Sequence, residues 1–261
     1  MADAKVLAAA LAAARRAGKL ACGDPVPDGM LPTTFDEAYR AQEIAVALMK
    51  EPIAGYKIGG TSVAIQKEMK LDGPFRGAML APRCHKDGAV VPAPEGLLGV
   101  ETEFAFRLSR DLPPRERPYG RDDVVAVVET MHPAFEIVGQ RLPWSQFTNA
   151  KASVADFALN VAFVYGVAAP QSWRTSDLAA AEVRLLVGGK EEKRGTGAAV
   201  LGNPLNVLAW IAEFQRTRDG LKAGQWISTG TCTGWTRIPV GVEAVAEFGP
   251  WGRVGVTFMR P

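Results

Sequence analysis

The sequence predicts an α+β fold: a helical N-terminal segment over residues 1–52, then a β-rich body over residues 53–261, forming one compact domain. Three observations predict it. The first fifty residues are dominated by helix formers and contain a helix-start signal. After Pro52 the character changes to short apolar runs punctuated by Gly and Pro. One of those runs, Leu98 to Leu108, alternates with a period of two, as a strand does.

The elements follow in order. Residues 3–21, rich in Ala, Leu, Lys and Arg, predict a first helix, and Gly23 to Gly29 is a turn-rich break. Thr34-Phe-Asp-Glu37 reads as a capping box that opens a second helix to about Met49. Ala38, Ala41, Ile44, Ala45 and Leu48 form its apolar stripe, and Pro52 ends it. Gly55 to Gly59 is a short strand or a strand end, and Val63 to Met69 a helix. Strands are predicted at Ala89–Val91, Val100–Leu108, Phe135–Val138, Val161–Val167 and Val183–Val187. Asp122-Asp123 opens a helix through Val128, and Pro204 precedes another from Leu205 to Gln215. The tail from Gly224 to Phe258 is strand-like with frequent Gly.

A chain of 261 residues can bury a full core, and no internal repeat or linker divides it. The 30 basic and 28 acidic residues leave a formal charge of +2, so the chain projects no field suited to nucleic acid or a membrane surface. No stretch reaches the roughly 18 apolar residues needed to span a bilayer. The apolar run Val6–Ala14 has its basic pair, Arg15-Arg16, behind it, unlike a signal peptide. Cys22, Cys84 and Cys232 are few, odd in number and widely spaced, which points to a reducing, cytoplasmic setting. With only His85 and His132 present, a multi-histidine metal site is excluded, so any metal must be held by oxygen.

Alternation in Leu98–Leu108 sends Val100, Thr102, Phe104 and Phe106 one way and Glu101, Glu103 and Ala105 the other. The two carboxylates stand side by side, roughly 7 Å apart at Cα. They are either a solvated strand edge or a site for a hard divalent cation, which removes their mutual repulsion. Glu136 is a third acid, flanked by Phe135 and Ile137, which face the core side. It either pairs with Arg141 or joins the ligand set. Lys57, with glycines on both sides and Thr61 and Ser62 close behind, sits in an exposed loop or a confined pocket, with little role in packing. In a pocket it can donate a proton or stabilise an enolate. Gly195-Thr-Gly197 lacks the third glycine of a dinucleotide fingerprint, and no P-loop, G-x-S-x-G elbow or H-E-x-x-H motif occurs.

Taken together, the residues resemble a known family. Gly55-x-Lys-Ile-Gly, Val-Glu-Thr-Glu-Phe-Ala-Phe, Pro-Ala-Phe-Glu-Ile-Val followed by Arg141, Gly-x-Gly-Ala-Ala-Val-Leu-Gly-x-Pro204 and Thr229-Gly-Thr231 stand here in the order found in the 2-keto-4-pentenoate hydratases of the fumarylacetoacetate hydrolase superfamily. Each motif is weak alone; five in order over nearly the whole chain are strong. The resemblance implies a rolled, barrel-like mixed sheet. It also implies Mg²⁺ or Mn²⁺ held by Glu101, Glu103 and Glu136, with Lys57 as the family lysine. It further implies a small 2-oxo acid or 2-hydroxydienoate substrate, bound around Thr229, Gly230 and Thr231, and a homo-oligomer able to associate with a related decarboxylase; the hydroxyls of Thr61 and Ser62 beside Lys57 are further candidate substrate contacts. Hydration is the implied reaction. Decarboxylation and C–C bond hydrolysis use the same chelate, and an inactive partner subunit is the non-enzymatic alternative.

Departures from the family pattern bear on the substrate. Where the family carries Ala-Asp-Asn-x-Ser, this chain reads Ala155-Asp-Phe-Ala-Leu159. Asp156 is kept, as a catalyst or as a structural hydrogen-bond acceptor. Phe157 and Leu159 replace polar groups, so they either line the pocket with apolar surface or turn into the core.

Overall fold

The computed structural model describes residues 2–19, 28–143 and 150–260. Two N-terminal helices come first, α1 (Ala2–Ala17) and α2 (Phe35–Met49). The Thr34 capping box forms as predicted: its hydroxyl accepts from Glu37 N, and Glu37 reaches back to Thr34 N. The buried face of α2 is Ala38, Tyr39, Ala41, Gln42, Ala45 and Met49. Ile44 is half-buried and Leu48 exposed, because packing rotates the buried stripe about one position from the apolar pattern.

Twelve strands follow: β1 (Ile53–Gly59), β2 (Phe75–Leu80), β3 (Cys84–Lys86), β4 (Ala89–Pro92), β5 (Leu97–Leu108), β6 (Val128–Gly139), β7 (Asn160–Tyr165), β8 (Glu182–Val187), β9 (Lys190–Thr196), β10 (Trp226–Thr231), β11 (Glu243–Glu247) and β12 (Arg253–Met259). Between them lie α3 (Val63–Glu68), α4 (Arg121–Val125), α5 (Ala150–Ala155) and α6 (Pro204–Arg216). The predicted helix through Val128 is shorter, because Val128 already opens β6. β6 runs well ahead of the predicted Phe135 start because the twelve-residue β5 offers it an antiparallel partner along its length. Pro133 has no N–H to give the ladder, yet its carbonyl still accepts from Gly166 N.

The strands form two mixed sheets, with no closed barrel among the described residues. The seven-stranded sheet runs β2-β1-β10-β5-β6-β7-β3, with β1–β10 and β3–β7 parallel and the other pairs antiparallel. Its two outermost strands, β2 and β3, are joined by only Ala81–Arg83. The sheet therefore rolls back until its edges meet in sequence, which gives an inner and an outer face. The five-stranded sheet is β4-β12-β11-β8-β9, and its edge strand β9 is the charged run Lys190–Thr196, which has no apolar alternation to announce it.

The outer face packs on the second sheet. Phe104, Phe106, Phe135 and Ile137 meet Leu185, Phe248, Val254, Val256 and Phe258 in the main core. The inner face is apolar at one end, where Met79, Ala105, Ala134, Phe163 and Trp226 cluster. The N-terminal helices cover β2 from outside, with Ala8, Ala12, Ala45 and Met49 against Ala78, Leu80 and Phe157.

Candidate metal centre

Strand alternation puts the acids on the inner face. On β5, Val100, Phe104 and Phe106 go to the main core and Ala105 to the inner cluster, so Glu101 and Glu103 point into the roll. β6 pairs antiparallel with it, with Glu101 opposite Glu136 and Glu103 opposite Ala134. Ala134 belongs to the inner cluster, so Glu136, two residues on, shares the acids' face. The pattern expected from sequence thus brings three carboxylates together, with ligand oxygens all within 4.8 Å of one another. Glu103 and Glu136 are fully buried and Glu101 half-buried.

Each acid has its own support. Glu103 Oε2 accepts from Ser228 Oγ at 2.5 Å and from Gly230 N at 3.0 Å. A register shift between Ser228 and Thr231, with Gly230 at φ 96°, turns that N–H out of the ladder and toward Glu103. A Cβ at Gly230 would stand 2.2 Å from Thr61 Oγ1, so only glycine fits beside the buried Thr61. Glu136 Oε1 accepts from Asn160 Nδ2 at 3.2 Å, and its Oε2 lies 2.9 Å from Lys57 Nζ.

Lys57 is not in a loop. It sits in β1 opposite Gly77 of β2 and Ser228 of β10, and is buried. The expectation that it has little role in packing is therefore corrected: its ammonium is one half of a buried ion pair, and it also donates to Ala158 O at 3.0 Å. The turn that presents this carbonyl is strained. Phe157, Ala158 and Leu159 have φ of 55°, 49° and 68°, three successive left-handed residues without a glycine. Gly77 makes room for it, since a Cβ there would meet Phe157 O at 2.2 Å.

Lys57 is the cation in contact with the acid cluster, and the titration behaviour follows. Burial lifts the Glu101 carboxyl, Lys57 pulls it down and Glu136 pushes it up again, with a net rise to about 7. Burial first, then Glu136 and Glu101, hold Glu103 well above the usual carboxylate range. For Lys57, burial works against the cation, but Glu136, then Glu101 and Glu103, outweigh it and raise its pKa.

A divalent cation fits this donor set. All donors are carboxylate oxygens, as hard cations require, and Glu103 Oε1 is buried with no hydrogen-bond partner. An orphaned buried carboxylate oxygen beside two other acids is costly in the metal-free protein and is satisfied by a cation.

Other expected site residues fall elsewhere. Thr229 turns to the outer face and donates to Phe104 O, because it alternates with Ser228 and Gly230. Ser62 caps α3, accepting from Ile65 N. Phe157 is fully buried under α1, with the Arg15 guanidinium 4.3 Å from its ring centroid, so it belongs to the core and not to a pocket wall. Asp156 accepts from Arg141 N through Oδ2 at 2.7 Å and from Arg141 Nε through Oδ1 at 2.5 Å. Burial raises its carboxyl against the pull of Arg141. Both oxygens being taken, Asp156 is an anchor for the loop and not a free acid, and Arg141 pairs with it instead of with Glu136. Leu159 is half-buried, and Thr231, also half-buried, lies opposite Glu103. Ser228, Asn160, the Ala158 carbonyl and Gly77 were not anticipated. Ser228 adjoins a recognised motif, but the others are brought in by the turn at residues 157–159, which no sequence pattern announces. Cys22 lies outside the described residues; Cys84 and Cys232 are free thiols.

A rolled mixed sheet whose inner face gathers three carboxylates and a lysine defines a protein with a candidate oxygen-donor site for a divalent metal. Residues 64–254 match the fumarylacetoacetate (FAA) hydrolase C-terminal family, and the chain belongs to that family. It is 34% identical over 228 residues to a 2-keto-4-pentenoate hydratase of Burkholderia vietnamiensis, covering 85% of each chain. It is 33% identical over 215 residues to a 2-hydroxyhexa-2,4-dienoate hydratase of Comamonas testosteroni, covering 79% of this chain and 80% of that one. Among solved structures it resembles 4-oxalocrotonate decarboxylase from Pseudomonas putida G7, complexed with magnesium and adipate. The TM-score is 0.87 at 25% identity, over 98% of this chain and 97% of that one.

Proposed function

We propose that this protein is a divalent-metal-dependent hydro-lyase that adds water to a 2-hydroxydienoate, the enol of a small 2-oxo acid. The observation that supports it most is the cluster of Glu101, Glu103 and Glu136 with Lys57 2.9 Å from Glu136, in a chain a third identical to dienoate hydratases. Glu101, Glu103 and Glu136 would hold Mg²⁺ or Mn²⁺. Bound there, the cation supplies Lewis acidity to a substrate carboxylate and its adjacent 2-oxygen.

The chain's own residues do the rest. Ser228 and Gly230 fix Glu103 through one oxygen and leave Oε1 for the ligand set. Lys57, held by Glu136 and Ala158 O, places a positive charge where an enolate develops, and its Nζ carries a proton 2.9 Å from Glu136 Oε2. Once the dienol has tautomerised, water adds across the distant double bond to give a 4-hydroxy-2-oxo acid. Thr61, Gly230, Thr231 and Leu159 are the proposed substrate contacts. Asp156 acts at one remove, by anchoring the turn.

Decarboxylation is the second reading, favoured by the likeness to the decarboxylase over nearly the whole chain. It uses the same charge stabilisation and differs in the bond that breaks. The test is a screen of purified protein with Mg²⁺ or Mn²⁺ against 2-hydroxydienoates, oxaloacetate and acylpyruvates, following dienoate absorbance and released CO₂. Metal-dependent loss of dienoate without CO₂ supports the hydratase; CO₂ release without hydration replaces it with the decarboxylase. We further propose a cytoplasmic homo-oligomer that can pair with a related decarboxylase. No helix among the described residues is long and apolar enough to cross a membrane.

A further inference from the structure

Asn160 stands at the start of β7, fully buried, between Glu136 and two arginines. Arg141 Nη2 donates to Asn160 O at 2.9 Å. Arg15, from α1, donates through Nη1 to the same carbonyl and through Nη2 to Asn160 Oδ1 at 3.2 Å. On its other side, Asn160 Nδ2 meets Glu136 Oε1 at 3.2 Å.

These contacts fix which end of the amide is which. A guanidinium has donors only, so the atom facing Arg15 must be the carbonyl oxygen. The NH₂ is then forced toward Glu136, where it can only donate. One oxygen of Glu136 is thereby held, and the other, Oε2, is left on the side of Lys57 and the acid cluster. A ligating carboxylate oriented by a neutral donor keeps its charge and presents one defined oxygen. Such outer partners typically change metal affinity by about 10–100-fold when removed.

We propose that Arg15 and Asn160 form a positioning relay that aims Glu136 at the metal, and that the N-terminal helical segment thereby sets metal affinity. Arg15 lies outside the family match at residues 64–254, so the segment reaches into a site that the matched region does not contain whole. The inference rests on the metal-centre reading of the three acids. Neither Arg15 nor Asn160 touches the reacting atoms; both act through Glu136.

The experiment is Mn²⁺ calorimetry on wild type, Asn160→Ala, Arg15→Met, Glu103→Gln and Leu185→Ala, each held below its own melting temperature. The electron paramagnetic resonance spectrum of bound Mn²⁺ reports the symmetry of the ligand set. Leu185 is buried in the second sheet and controls for lost stability alone. The relay requires Asn160→Ala to weaken Mn²⁺ about 10–100-fold and alter the Mn²⁺ spectrum, with Arg15→Met following in the same direction, while Leu185→Ala keeps wild-type affinity. Arg15→Met keeps the amide and decides the matter should Asn160→Ala not fold. If Glu103→Gln loses Mn²⁺ but Asn160→Ala or Arg15→Met binds as wild type, the relay is wrong and the metal centre stands. If Leu185→Ala loses affinity equally, the effect is one of stability and the relay is also wrong. If wild type and Glu103→Gln bind alike, the metal centre itself falls and the relay with it.

Discussion

Lys57 Nζ and Glu136 Oε2 form a buried ion pair at 2.9 Å, bridging β1 and β6 across two intervening strands of the rolled sheet. Neither residue is near the other in sequence, and the sheet's curvature closes the gap. Through this pair the lysine sits against Glu136 while its charge also favours the ionised forms of Glu101 and Glu103.

Removing the lysine should therefore harm stability as well as turnover. Breaking a buried pair on one side can cost about 3–5 kcal/mol, less here because the acids can protonate. Lys57→Met should lower the melting temperature of the metal-free protein by on the order of 5 °C or more. Turnover on a verified substrate should fall about a hundredfold or further. Thermal melting with and without Mn²⁺ checks the first part. A melting temperature unchanged in chelator would show that the pair contributes nothing.

Glu103 is expected to be the least replaceable ligand. Its Oε1 is buried without a hydrogen-bond partner. Glu103→Gln should abolish measurable Mn²⁺ binding by calorimetry, and wild type should melt at a lower temperature after chelation, since a ligand of the native state alone stabilises it. Equal affinity in the two proteins would contradict the assignment.

The acid cluster predicts a pH trend for the metal-free protein. Burial lifts Glu101 from its ordinary 4.5 to about 7 when folded, and burial with the neighbouring acids also holds Glu103 well above the usual carboxylate range. The folded state thus holds protons that the unfolded chain releases first, so stability is greatest below about 4.5 and falls as pH rises through about 7. Lys57, whose pKa is raised, keeps its contribution throughout this window. In chelator the melting temperature should be higher at pH 5 than at pH 7.5. Glu101→Gln with Glu103→Gln should flatten the slope, and an unaltered slope would place its origin elsewhere.

Phe157 and Leu159 separate stability from specificity. Phe157 lies fully buried under α1, so Phe157→Ala should cost about 3–5 kcal/mol, or about 10 °C. Leu159, half-buried on the same turn, is the remaining candidate for apolar substrate contact. Leu159→Ser should raise kcat/KM for a short dienoate relative to one with an alkyl tail. An unchanged ratio removes Leu159 from the substrate contacts.

Gly77 tests the strained turn. An added Cβ would meet Phe157 O at 2.2 Å, so Gly77→Ala must displace Ala158 O from Lys57. Turnover should fall at least tenfold and melting by several degrees, on the order of 1–3 kcal/mol for forced overpacking. Wild-type kinetics would mean that the turn is dispensable.

The sequence by itself determined what is local and periodic. Alternation in β5 put Glu101 and Glu103 on one face, and Glu136 between Phe135 and Ile137 followed the same rule. The Thr34–Glu37 box fixed the start of α2. These follow from side-chain direction and short-range hydrogen bonds, which need no knowledge of the rest of the chain. The tertiary structure decided the pairings. Lys57 between its glycines reads as an exposed lysine or one in a pocket, and only the sheet order makes it the partner of Glu136. Arg141 stands five residues from Glu136 and reads as a candidate partner for it, yet in the fold it pairs with Asp156. Phe157 entered the core because that turn is left-handed and α1 lies over it. Such choices depend on which surfaces long-range packing brings together, and one-dimensional pattern carries no record of them.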